Sequence, residues 1–76
     1  MSDEKNLRAL GLEIRKFRVA RGLSQERLAE SAGIHENHLR RVELGQVNPT
    51  YLVLLRISDA LDVPLLDLLK PVMPRR

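Results

Sequence analysis

From Leu23 to Gly45 the chain carries two short blocks of helical periodicity hinged at Gly33, and the second block ends at another glycine. Few folds accept that pattern. Leu28, Ala29, Ala32, Ile34, Leu39 and Val42 fall at the spacings that face a core, while Glu36, Asn37, Arg40 and Arg41 are left outside. These four stand at i, i+1, i+4 and i+5, so on a helix they share one face opposite Leu39 and Val42. A helix with a bare polar side, held by a preceding helix across a glycine, is what a helix-turn-helix lays in a DNA groove.

The punctuation extends in both directions. Gly22, Pro49, Pro64, Pro71 and Pro74 divide the rest into short blocks, and within them apolar residues recur every three or four positions rather than every second one. The expectation is an all-α chain of five helices. Helix one runs from about Lys5 to Arg21, with Leu7, Leu10, Ile14 and Phe17 on one stripe. Ser24 is the N-cap of helix two, and Leu23 and Leu28 have the spacing of a hydrophobic staple. His35 stands in the cap position of helix three, an unusual choice, and Gly45 closes that helix. Asn48-Pro49-Thr50 starts helix four, with Asn48 or Thr50 as its cap and Tyr51, Leu54, Ile57 and Leu61 facing inward. Pro64 opens a last short helix, Leu65 to Lys70. A single domain is expected over residues 1–76, with its core at about 7–70 and a short irregular basic tail at 71–76.

Composition narrows the function classes. With 76 residues and no cysteine, neither a disulfide framework nor a cysteine-based zinc site is available. Stability must come from aliphatic packing near the lower size limit for an independent core, where dimerisation would add buried area. A net charge of +3, from 13 basic and 10 acidic residues, permits a phosphate-rich partner without demanding one. No apolar run approaches the roughly 20 residues of a membrane helix. The polar start Met1 to Asn6 also lacks the apolar segment of a signal peptide. A cytoplasmic, nucleoid-associated protein of bacterial or phage type is expected, without membrane or small-molecule substrate. An enzyme is not expected: there is no cysteine, no serine–histidine–acid set and no phosphate loop. His35 and His38 flank Glu36-Asn37 one residue short of the zinc-protease spacing, with no third ligand evident, so neither metal nor cofactor is expected.

Several runs together resemble a known family. They are Ile14-Arg15-Lys16-Phe17-Arg18, Gly22-Leu23-Ser24-Gln25, Leu28-Ala29, Ala32-Gly33, Val42-Glu43-Leu44-Gly45, Asn48-Pro49, Leu54, Ile57 and Ala60-Leu61-Asp62-Val63. From about Leu10 to Leu69 the chain is similar to the lambda-repressor-like (Cro/repressor, XRE-type) helix-turn-helix domain of phage and bacterial transcription regulators. The resemblance implies a compact five-helix domain, helix three in the major groove and a two-fold symmetric dimer. It puts the base-reading positions on His35, Glu36, Asn37 and Arg41. It assigns Gln25 to a backbone phosphate and to bracing helix three, and joins Arg18 to Glu43 in a partly buried salt bridge.

The residue types suit those roles. Asn37 has the donor and acceptor to pair bidentately with an adenine edge, Arg41 matches a guanine edge, and Glu36 accepts from a cytosine amino group or repels wrong sequences. Arg40, Gln46 and Asn48 are further phosphate candidates, which position a protein without reading sequence. The monomer core of the family needs Leu54, Ile57, Leu61, Leu65 and Leu68. Leu52, Leu55, Leu66 and Leu69, with Val72 and Met73, exceed it and suggest a homodimer patch. The expected function is a sequence-specific regulator, most often a repressor, that reads a near-palindromic operator in double-stranded DNA as a homodimer. The alternative is a protein-interaction module, antitoxin-like or adaptor-like, that mainly docks another protein.

Overall fold

The computed structural model describes residues 3–72, and among them it is all-α. The order is α1 (Asp3–Ala20), α2 (Gln25–Ala32), α3 (Glu36–Glu43), α4 (Tyr51–Leu61) and α5 (Leu65–Leu69), followed by a 3₁₀ turn at Lys70–Val72. Five helices were expected, and their ends have local causes. Ser24 Oγ accepts the Arg27 N–H at 3.0 Å, satisfying one of the amides that a helix start leaves unpaired. Gly33 is left-handed at φ 70, which lets its own N–H reach Glu30 and the N–H of Ile34 reach Ala29. Of the two cap candidates for α4 it is Thr50 that serves: its Oγ1 accepts the Val53 N–H at 3.1 Å. Helix α1 starts at Asp3, two residues before the expected Lys5, where the carboxylates of Asp3 and Glu4 suit the positive end of the helix dipole.

The core takes Leu10 and Ile14 from α1, Leu28, Ala29 and Ala32 from α2, Leu39 and Val42 from α3, Ile57 and Leu61 from α4, and Leu68 from α5. Helix α2 packs on α4 and on α3, while α1 lies across α3 and α5. Phe17, Ile34, Leu54 and Leu65 line the rim of this core, half-buried. Tyr51 departs from expectation: it is 65 % exposed and not inward. As the first residue after the Thr50 cap it occupies the turn of α4 farthest from the buried set Ile57, Ser58 and Leu61. Ser58 is tolerated there because its hydroxyl donates back to the Leu55 carbonyl at 2.9 Å.

The C-terminal region also differs from expectation. Lys70, expected as the last residue of helix five, and residues 71–72, expected in the irregular tail, together form the 3₁₀ turn, which packs on α1 and brings Val72 against the core. Leu69, expected at a dimer patch, is half-buried and likewise packs on the core. The remainder of the expected tail, residues 73–76, lies outside the described residues.

One contact positions everything that follows. Helix α1 crosses the end of α3 at Gly11, which is buried. A methyl group there would lie 2.5 Å from the Val42 carbonyl oxygen, 2.6 Å from the Glu43 carbonyl carbon and closer still to its oxygen. From the other side Gly45, at φ 72, leaves no room for a methyl beside Arg8, whose Cγ would be 2.7 Å away. Through these two glycines the backbone of α1 interlocks with the end of α3 and the turn that follows it.

Candidate nucleic-acid interface

Helix α3 is eight residues long, too short to persist alone in water. Packing holds it: Leu39, Val42 and Glu43 are buried at i, i+3 and i+4. The same periodicity leaves Glu36, Asn37, Arg40 and Arg41 exposed, with His35 exposed just before the helix and His38 half-buried. His35 occupies the cap position without making a side-chain cap bond. On the outward face Arg40 Nη1 donates to Asn37 Oδ1 at 2.9 Å, and Arg40 Nη2 lies 3.5 Å from Glu36 Oε2. The expected base readers Glu36 and Asn37 are therefore both held by Arg40. No ion pair engages Arg41 among the described residues.

The far end of α3 is anchored by charge. Arg18 Nε donates to Glu43 Oε2 at 2.7 Å and Nη2 to Oε1 at 3.2 Å, a two-pronged pair from α1. Gln25 Nε2, from α2, adds a third donor to Oε1 at 3.0 Å. Arg18 also donates through Nη1 to the Leu23 carbonyl at 2.8 Å, tying in the α1–α2 connection. Both partners are sheltered, with side-chain exposure of 11 % for Arg18 and 2 % for Glu43. A carboxylate in the last turn of a helix opposes the helix dipole, and burying it adds a desolvation penalty. Three N–H groups aimed at its two oxygens offset both. The outcome is that α1, α2 and α3 meet at a single carboxylate, and the exposed face of α3 is held in a fixed attitude to α2.

The expected phosphate contacts are scattered around this frame. Gln25 sits half-buried in the first turn of α2; one amide hydrogen bonds Glu43 and the other remains to donate. Gln46 and Asn48 are exposed in the α3–α4 connection. The Gln46 backbone N–H closes α3 by bonding the Arg41 carbonyl at 2.9 Å. Arg40 is turned toward its own helix, as described. Of the candidate dimer residues, Leu52 on α4 and Leu66 on α5 are 63 % and 55 % exposed, and Leu55 is half-buried.

Two structural features escaped the sequence reading. Gly11 is a glycine inside a helix, where it costs about 1 kcal/mol relative to alanine and so signals a packing reason. The hold of Arg40 on Glu36 and Asn37 was present in the i, i+4 and i, i+3 spacing, at which side chains on one helix meet.

Comparison with known proteins decides the family. Residues 14–68 match the model of the helix-turn-helix family HTH_3. The chain belongs to that family, in agreement with the lambda-repressor-like resemblance. It is similar to a restriction-modification controller protein from Aeromonas hydrophila, C.AhdI, whose crystal structure superposes with a TM-score of 0.83 at 36 % identity, covering 84 % of this chain and 97 % of that one. It is 32 % identical over 68 residues to the HTH-type transcriptional regulator SutR of Escherichia coli, covering 90 % of this chain. A longer HTH-type protein of Methanocaldococcus jannaschii is 38 % identical over 65 residues, 82 % of this chain. The chain spans 38 % of the length of SutR and 20 % of that of the latter protein. No helix among the described residues is long and apolar enough to cross a membrane.

Proposed function

We propose that this chain is a sequence-specific DNA-binding transcription regulator that acts in the cytoplasm, on the nucleoid, as a repressor. It reads a near-palindromic operator as a homodimer, with α3 in the major groove. The observation that carries this reading is the outward face of α3: Asn37 and Arg41 stand exposed on a short helix whose other side is fully anchored. Asn and Arg present the amide and guanidinium donors that discriminate base edges in the major groove. Gln25 and the free first-turn amides of α2 stand ready for a backbone phosphate, which fixes register. Relatives described as a controller protein and as transcriptional regulators lend the same direction.

The test is gel-shift titration against the upstream region of the protein's own gene, with selection of preferred sites from random duplexes. Asn37→Ala and Arg41→Ala should each lose about 1–3 kcal/mol of discrimination at one base position while keeping the wild-type melting temperature. Undiminished discrimination in both variants would put the reading helix elsewhere.

The homodimer is carried by Leu52 and Leu66, large aliphatic side chains left mostly in water on α4 and α5. A two-fold pair would set the two α3 helices about 34 Å apart, one turn of the duplex. Leu66→Glu should convert the dimer to monomer in sedimentation equilibrium and weaken operator binding, with α-helical content unchanged. A variant that remains dimeric would remove this surface from the interface.

A further inference from the structure

We infer that Arg40 is a specificity-positioning residue, setting which way the Asn37 amide faces the DNA, rather than a backbone-phosphate contact. This rests on the reading of α3 as the recognition helix. Arginine has only N–H donors, so the Asn37 atom that meets Arg40 Nη1 at 2.9 Å must be the carbonyl oxygen. The amide is thereby assigned by chemistry, and its NH₂ group is directed away from Arg40. An unrestrained asparagine on a helix surface presents either end of its amide at little cost, and two ends of opposite polarity select different base edges. Fixing one end turns a permissive side chain into a discriminating one.

Glu36 completes the arrangement. Its carboxylate lies 3.5 Å from Arg40 Nη2, so the guanidinium is held from both sides, at i+3 from Asn37 and at i+4 from Glu36. All three residues are exposed, and the pairing is weak in water. In a groove that displaces water the same bonds strengthen. Arg40 also offsets a negative charge that would otherwise face the DNA from the first turn of α3. A guanidinium occupied in this way is directed along its own helix.

The two roles for Arg40 separate experimentally. Site selection and salt titration are carried out on wild type, Arg40→Met, Asn37→Ala and the double variant. Positioning predicts that Arg40→Met flattens preference at the single base position that Asn37→Ala also flattens, from about tenfold or more to within about threefold. It further predicts that the double variant is no flatter than Asn37→Ala alone, because the two residues act as one unit. The slope of log affinity against log salt should stay near the wild-type value. A uniform loss across all sequences, with the salt slope reduced by about one, would make Arg40 a phosphate contact and overturn the inference, leaving α3 as reader. A wild-type protein without sequence preference would instead remove the recognition reading itself, and this inference with it. Equal melting temperatures across the four proteins show that folding is not the variable.

Discussion

Replacing Glu43 by alanine is expected to destabilise the domain by about 3–5 kcal/mol, because it strands the Arg18 guanidinium in a site that is almost closed to water. For a chain of 76 residues the total stability is roughly 4–11 kcal/mol, so a large share is lost. Thermal unfolding followed by circular dichroism should show the melting temperature falling by roughly 15–30 °C. The proposed DNA binding should fall with it, through disordering of α3 rather than loss of a contact, and should return on cooling. The double variant Arg18→Met/Glu43→Leu should be more stable than Glu43→Ala, since replacing both charges removes the uncompensated one. A shift of only about 3 °C for Glu43→Ala would instead give the pair the small value of a surface salt bridge. Gln25→Ala tests the third donor separately, with an expected loss of about 1 kcal/mol.

Gly11→Ala is the second large effect, and its sign is diagnostic. Helix propensity alone favours alanine by about 1 kcal/mol at an interior helical position. The structure predicts the reverse, because the added methyl would press into the Val42 and Glu43 carbonyls, which are backbone and not a flexible side chain. Helix α1 would have to shift off the end of α3, at a cost of about 1–3 kcal/mol or more. The same shift would pull Arg18 from Glu43, so stability and the proposed DNA affinity should decline together. Urea denaturation measures the first and gel shift the second. A variant more stable than wild type would show that α1 and α3 are not in contact at Gly11.

Much of the fold was legible because its signals are local. Ser24, Gly33, Thr50 and Pro64 act within a turn or two of their own positions, and the apolar spacing of three and four assigns an inner and an outer face to each helix. The polar face of α3 follows from that spacing alone. The resemblance, not any spacing, brought Arg18 to Glu43, residues 25 positions apart whose pairing no periodicity encodes. Tyr51 shows the limit of periodicity. It lies on the same stripe as Leu54, Ile57 and Leu61, but the stripe says nothing of how far along its length a helix leaves the core. Residues 70–72 show another. The two prolines at 71 and 74 excluded a continuing α-helix, yet a 3₁₀ turn with Val72 as an apolar anchor on α1 remained open to the chain.

The sequence by itself determined where the helices lie, to within about two residues at their ends, and, Tyr51 apart, which side of each is wet, since those properties depend mostly on neighbours within about one turn. Only the tertiary structure decided that Gly11 is the crossing point of α1 and α3, and that the Glu43 carboxylate gathers donors from α1 and α2. The physical reason is that both depend on how closely backbones distant in the chain approach. That distance is set when all the helices bury their apolar faces together.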